Sequence, residues 1–336
     1  MSAVRKLAER VAAFIARVSL PNDGCSLLMF HHVARPDSKG LRVNEHLKVS
    51  PGFLQLIINR LKRRGYAFIS MDEVLDNLRA DRKMHKAVSL TFDDGYLDNF
   101  TIGRQVLGAE DVPGIVYVAT GLASAEAPIW WDAFEEYVLS IDKLKLPNGI
   151  EIRCASPAEK EQAFVLLRNW VLSLSPGEIR VETSRLCNKS LEWVDSFGGQ
   201  MASRATLRRF ASDRLLTIGC HTHRHISCGR LSDREVEADL RKSLEFLSSC
   251  GVTARHFAFP YGDDVERADR FVDIFTSVGI ETAVTTYSGV VKPGMASRFF
   301  MPRIFVSELD GFSECNIHLG HFQSYLRMIR KSLKSC

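Results

Sequence analysis

The stretch Ala87-Val88-Ser89-Leu90-Thr91-Phe92-Asp93-Asp94-Gly95-Tyr96 decides how this chain is read. Its first six residues are rich in strand formers, and the run stops at two adjacent carboxylates, a glycine and an aromatic. A buried strand that ends on Asp-Asp-Gly presents acids at the rim of a sheet, where α/β enzymes keep their chemistry. Neighbours in a strand point to opposite faces, so Asp93 and Asp94 cannot do the same job. In the turn beyond the strand both can still reach one pocket, one holding a cation and the other handling a proton. Taken alone, the stretch also fits an ordinary Asp-Gly turn after a strand.

A second stretch, Ile218-Gly219-Cys220-His221-Thr222-His223-Arg224-His225, follows another strand-like run, Leu215 to Ile218. It holds three of the ten histidines within five positions. Imidazole suits zinc and similar ions, and a catalytic site takes three protein ligands and leaves a position open. Asp94 with two of these histidines supplies one oxygen and two nitrogens. Cys220 and Cys228 flank the cluster as rival ligands.

Together with Phe257-Ala258-Phe259-Pro260-Tyr261-Gly262, these motifs give the sequence a family likeness. Thr-Phe-Asp-Asp-Gly-Tyr, a downstream His-Thr-x-x-His and a later Pro-Tyr-Gly resemble the polysaccharide deacetylase family of carbohydrate esterases. The resemblance runs from about Ser26 to about Val306. It implies a hydrolase that removes N-acetyl groups from an N-acetylated amino-sugar oligo- or polysaccharide, such as an exopolysaccharide or its precursor. By this resemblance Asp93 is the general base, and Asp94, His221 and His225 hold a divalent metal ion. Zinc is the favoured ion, with cobalt or nickel as alternatives. Tyr261 is the matching oxyanion donor, through its backbone N–H. His223 has no family role.

The sequence departs from the family pattern twice. The arginine that usually precedes the Pro-Tyr segment and pairs with the base is missing from Phe257-Ala258-Phe259. Arg303, in Met301-Pro302-Arg303-Ile304, either replaces it or makes an ordinary ion pair. The general acid has two candidates. Leu319-Gly320-His321 matches the family's C-terminal Leu-x-His in letters, but lies in a helix-like tail. Leu28-Met29-Phe30-His31 ends a strand and resembles a permuted branch that deacetylates poly-N-acetylglucosamine. His31 is the expected acid, because catalytic groups of parallel barrels come from the C-terminal ends of strands.

Around these motifs the chain alternates strands and helices, which predicts a distorted (β/α) barrel of seven or eight strands. The expected layout is an N-terminal amphipathic helix in residues 1–24, a catalytic domain over 25–308 and a helical tail over 309–336. From about 130 to 213 the pattern turns polar and helical, with a hairpin around Pro147-Asn148-Gly149, and reads as an insertion between strands. Trp130 and Trp131 at its start either stack on a sugar ring or open a helix packed on the core.

Net charge is +4 with the basic residues dispersed, so nucleic-acid binding is not expected. Eight scattered cysteines without a CxxC pair read as free thiols in a reducing compartment. The longest apolar run of the first helix, Val11 to Ala16, is too short for a span or a secretory segment. A cytoplasmic site of action is therefore expected. The basic, amphipathic helix either packs on the domain or contacts the inner face of the membrane peripherally. Two other classes stay open: a same-fold hydrolase of a non-sugar amide, and a catalytically silent carbohydrate-binding protein. His221-x-His223-x-His225 is also superficially similar to the metallo-β-lactamase ligand motif, but lacks its Asp-His.

Overall fold

The computed structural model describes residues 23–262, 268–295, 297–313 and 316–325. The N-terminal helix expected within residues 1–24 lies almost wholly outside them.

Seven parallel strands close into a barrel. In sheet order they are β1 (Cys25–Phe30), β10 (Met301–Phe305), β9 (Thr282–Ser288), β8 (His256–Ala258), β7 (Leu216–Cys220), β4 (Gly114–Val118) and β3 (Ala87–Phe92), with β3 pairing back onto β1. The two-residue β2 (Ala67–Phe68) adds an eighth strand to the start of β3. The predicted barrel is the fold, and both expected strand counts have a meaning: seven close the barrel and the eighth lies outside the ring.

Alternation along the strands sorts their side chains into two sets. Leu28, Phe30, Val88, Leu90, Phe92, Val116, Val118 and Ile304 pack outward against the helices. Cys25, Leu27, Ala87, Ile115, Tyr117, Val284 and Met301 fill the interior. The helix Met71–Arg79 starts with a Ser70/Glu73 capping box and sends Met71 and Val74 into the interior cluster. At the N-terminal end of β8, Asp72 of this helix meets His256 at 3.0 Å, so that end of the barrel is plugged and the site must open at the other. The helix Pro51–Arg63 starts on a Ser50 cap with proline in its first turn, and Gly65 at φ 78° turns the chain out of it.

Between β4 and β7 lie the helices Trp130–Ser140, Pro157–Val171 and Ile179–Cys187, with shorter helices behind them. The antiparallel strands β5 (Lys143–Lys145) and β6 (Glu151–Arg153) flank Pro147-Asn148-Gly149. This region has a core of its own, built on Trp130, Phe134, Val138, Phe164, Leu167 and Val171. Trp130 and Trp131 are both buried there, so neither offers a face to a sugar ring. Glu135 accepts from the Leu41 amide at 2.5 Å and from Asn44 at 2.7 Å, tying the loop after β1 to the helix Trp130–Ser140. Residues 316–325 are helical. Among the described residues no helix is long and apolar enough to cross a membrane.

Candidate active site

The site lies where β1, β3, β7, β8 and β10 end. Asp93 follows β3, and its amide donates to the Phe30 carbonyl at 3.0 Å, which carries the pairing of β3 with β1 one residue past the strand. Its side chain continues the inward set of β3. Asp94 would then point away, but it takes a left-handed conformation at φ 71°, followed by Gly95 at φ 87°. This turn swings the second carboxylate back into the same pocket. A side chain at Gly95 would also press on Val118 at about 3.0 Å. The two acids therefore reach one site by different backbone routes.

Asp94 meets the histidine loop directly. Its Oδ1 lies 3.3 Å from His221 Nε2 and 3.1 Å from His225 Nε2. One ligand atom from each of the three residues falls within 4.8 Å of the others, and no other such cluster occurs among the described residues. Both imidazoles are held from behind. His221 Nδ1–H donates to the Ala258 carbonyl at 2.8 Å, and His225 Nδ1 pairs with the Tyr261 hydroxyl at 2.9 Å. A carbonyl can only accept, so His221 keeps its Nε2 lone pair for the cluster. Two imidazole nitrogens, that of His221 with its tautomer fixed, and one carboxylate oxygen are a donor set that fits zinc or a similar divalent ion. Burial raises the Asp94 carboxyl, but the two histidines outweigh it and hold it well below the usual carboxylate range.

Backbone strain gathers here. Among the described residues nine non-glycine residues have positive φ, and four of them are Asp94, Thr222, His225 (52°) and Tyr261 (61°). Such conformations persist where the surroundings over-determine them. The loop from His221 to His225 is held by the buried Asp239, which accepts from the His223 amide at 2.5 Å and from Arg224 at 2.9 Å. His223 itself turns away, its Nδ1 at 2.9 Å from Thr120 Oγ1. Cys220 and Cys228 are buried outside the cluster, with Cys220 Sγ on Ser243.

Asp93 is taken up by Arg303. Both guanidinium Nη atoms donate to its two oxygens at 2.6 Å, Nε donates to the Thr285 carbonyl at 2.9 Å, and the arginine is wholly buried. Burial pushes the Asp93 carboxyl up, but the charge and hydrogen bonds of Arg303 prevail and hold it below its ordinary value.

His31, one residue beyond β1, lies close enough to Asp94, Asp93, Arg303 and His221 for their charges to act on it. Its Nδ1 is buried and meets no hydrogen-bond partner among the described residues. Burial lowers its pKa, against the pull of the two aspartates. His32 turns instead to Asp98 at 2.8 Å and stacks on Tyr96, ring centroids 3.5 Å apart. His321 is buried and is not among these groups. The charges acting on it are Lys292, His318 and Asp23, and Asp23 precedes β1 at the plugged end of the barrel.

Three contacts were not expected from the sequence. The Tyr261 hydroxyl braces His225. Trp131 packs on His225 at 5.2 Å and donates through Nε1 to the Tyr96 hydroxyl at 2.9 Å, which brings the region after β4 against a cluster histidine. Phe305 stands beside His31 at 6.3 Å. The last could have been found from the alternation Met301, Arg303, Phe305, which puts all three on one face of β10.

Residues 181–283 match the family model described as polysaccharide deacetylase. The fold is similar to that of IcaB from Ammonifex degensii, with 19% identity and a TM-score of 0.57, over 90% of this chain and 98% of that one. It is similar also to the Streptococcus pyogenes deacetylase PplD in complex with acetate, with 16% identity, TM-score 0.56, and coverage of 84% and 92%. The BpsB deacetylase domain from Bordetella bronchiseptica shares 18% identity at a TM-score of 0.50, over 85% and 96%. A search among curated proteins finds no significant match. The family match runs through the histidine loop and the Pro-Tyr-Gly turn, two of the three motifs that meet at this end of the barrel, so this part of the chain is similar to the polysaccharide deacetylase family.

Proposed function

We propose that this chain is a metal-dependent hydrolase that removes N-acetyl groups from an N-acetylated amino-sugar oligo- or polysaccharide. The observation that carries the reading is the meeting of three groups. The Asp94, His221 and His225 donor set, the ionised Asp93 clamped by Arg303, and His31 lie at the mouth of one barrel. A carbohydrate-binding protein without activity needs no such combination of acid, base and ligands. The descriptions of PplD and BpsB as deacetylases support the same reading.

Asp94, His221 and His225 would hold the divalent ion, with zinc expected from two nitrogens and one oxygen. When bound, such an ion lowers the pKa of water and polarises a carbonyl. Asp93, kept ionised and oriented by Arg303, accepts the proton of the attacking water. The backbone N–H of Tyr261, in its left-handed turn, donates to the oxygen that gains charge as the amide carbonyl becomes tetrahedral. His31 gives a proton to the leaving amine nitrogen, so that the sugar departs as a free amine and the acyl group as acetate. The catalytic domain is assigned to residues 25–308, with the segment 130–213 as an insertion that braces the ligand loop through Trp131.

Acetate release from N-acetylglucosamine oligomers, measured with and without chelator, tests the assignment. Chelator-sensitive release is the expected result. Metal-loaded protein that leaves these oligomers intact but cleaves members of a panel of non-sugar N-acetyl amides would reverse the substrate assignment.

A further inference from the structure

The strand β10 carries an aromatic one layer above Arg303, the arginine that positions Asp93. Met301, Arg303 and Phe305 alternate on the inward face, and Phe305 is the last residue of the strand, half-buried at the open mouth. One edge of this ring faces His31, with centroids 6.3 Å apart and ring planes at 69°. His46 lies beside it, with centroids 4.7 Å apart and ring planes at 46°. His46 Nε2 is 2.6 Å from Asp310 Oδ2, and Arg42 Nη2 donates to Asp310 Oδ1 at 2.6 Å. Arg42 and Asp310 are exposed, so this ion pair contributes little to folding. It does join the loop after β1 to the loop after β10, with His46 linking the pair to Phe305.

The amine side of the scissile bond is the side of His31, on the reading above. A sugar chain whose nitrogen sits within hydrogen-bond reach of His31 comes next to Phe305 and the groups that surround it. Its chemistry suits a pyranose. An aromatic face packs against the apolar C–H face of the ring, while a carboxylate, a guanidinium and an imidazole offer acceptors and donors to hydroxyls. Trp130 and Trp131, the other aromatics with a claim to that role, are buried. We infer that Phe305, His46, Arg42 and Asp310 form the binding subsite for the amino-sugar chain on the amine side of the cleavage point. The inference rests on the proposed deacetylase reading.

The test compares a tetramer of N-acetylglucosamine with a sugar-free aryl acetate ester, using metal-loaded wild type, Phe305→Ala and Asp310→Ala. The expected result is a KM for the tetramer raised about tenfold in Phe305→Ala, the effect of losing one apolar packing contact. The loss on the tetramer should exceed the loss on the ester in both variants. Direct titration of tetramer into Asp93→Asn protein, with and without each change, should show the same weakening without turnover. Phe305→Tyr, which keeps the ring, should restore binding. Asp310 is on the surface, so its variant keeps the test open if Phe305→Ala folds poorly. If wild type deacetylates the tetramer while both variants bind and turn it over within twofold of wild type, the subsite is elsewhere and the enzyme assignment stands. Equal losses on tetramer and ester would likewise overturn the subsite. If wild type neither binds nor deacetylates any N-acetylated sugar, the deacetylase reading fails and takes the subsite with it.

Discussion

Arg303 and Asp93 face each other across the barrel interior, joined by two hydrogen bonds of 2.6 Å although 210 residues separate them in the chain. Both are buried, so each charge is compensated by the other rather than by solvent. Removing one partner of such a pair typically costs ~3–5 kcal/mol, because the remaining charge has no solvent to turn to. Arg303→Met should therefore destabilise the protein by about that much in urea unfolding. Adding Asp93→Asn should recover part of the loss. Additive effects of the two changes would show that the pair is not coupled.

The ligand cluster makes a prediction that separates direct ligands from their supports. His221→Ala and His225→Ala should each abolish stoichiometric metal in elemental analysis, whereas His223→Ala, whose ring faces Thr120, should retain it. Tyr261→Phe removes only the hydroxyl at 2.9 Å from His225 Nδ1. Loss of such an outer partner typically weakens metal affinity ~10–100-fold. Competition with a graded series of chelators would read this. An unchanged affinity would mean that the tyrosine acts through its backbone alone.

General acid catalysis is worth ~10²–10⁴ in rate. His31→Ala should lower turnover on an N-acetylated oligomer by about that factor while metal content stays at the wild-type level. His321→Ala should keep nearly full turnover per folded molecule, because the charges acting on His321 are Lys292, His318 and Asp23 and not those of the site. The reverse order of effects would move the acid to the C-terminal helix.

His321 is instead expected to govern acid stability. Burial, aided by Lys292 and His318, pushes its pKa from 6.5 down to about 4 in the folded chain. Between those values the unfolded chain binds a proton that the folded chain does not. Stability is therefore undiminished above about pH 6.5 and falls as pH drops toward about 4, by up to about 3 kcal/mol from this group. Unfolding free energies measured across this window should fall less steeply in His321→Met. A parallel slope would assign the acid sensitivity to other groups.

Much of the molecule was legible in its sequence because the signals involved are local. The strand ending at Phe92 and the alternation of strands and helices both depend on residues a few positions apart. The three motifs could be placed at strand ends for the same reason, and parallel strands with helical crossovers bring those ends to one side. Asp93, Asp94, His221 and His225 could thus be grouped without coordinates.

Their partners could be offered only as choices, Arg303 for Asp93 among them. Arg303 meets Asp93 only because β10 closes on β1 and β1 on β3, with Met29 paired both to Phe305 and to Thr91. A shift of one residue in either register would turn Arg303 out of the barrel. The reach of Asp94 depends on a left-handed backbone that a non-glycine residue adopts only under tertiary constraint. His31 and His321 both follow a Leu-x pattern or a strand in the sequence. Only the closed barrel sets one beside the aspartates and the other among Lys292, His318 and Asp23. Local propensity and periodicity are short-range properties of the chain, and they determined the strands, the helices and the rim on which the motifs stand. Which buried charge faces which is a matter of ring closure and register, and that the tertiary structure alone decided.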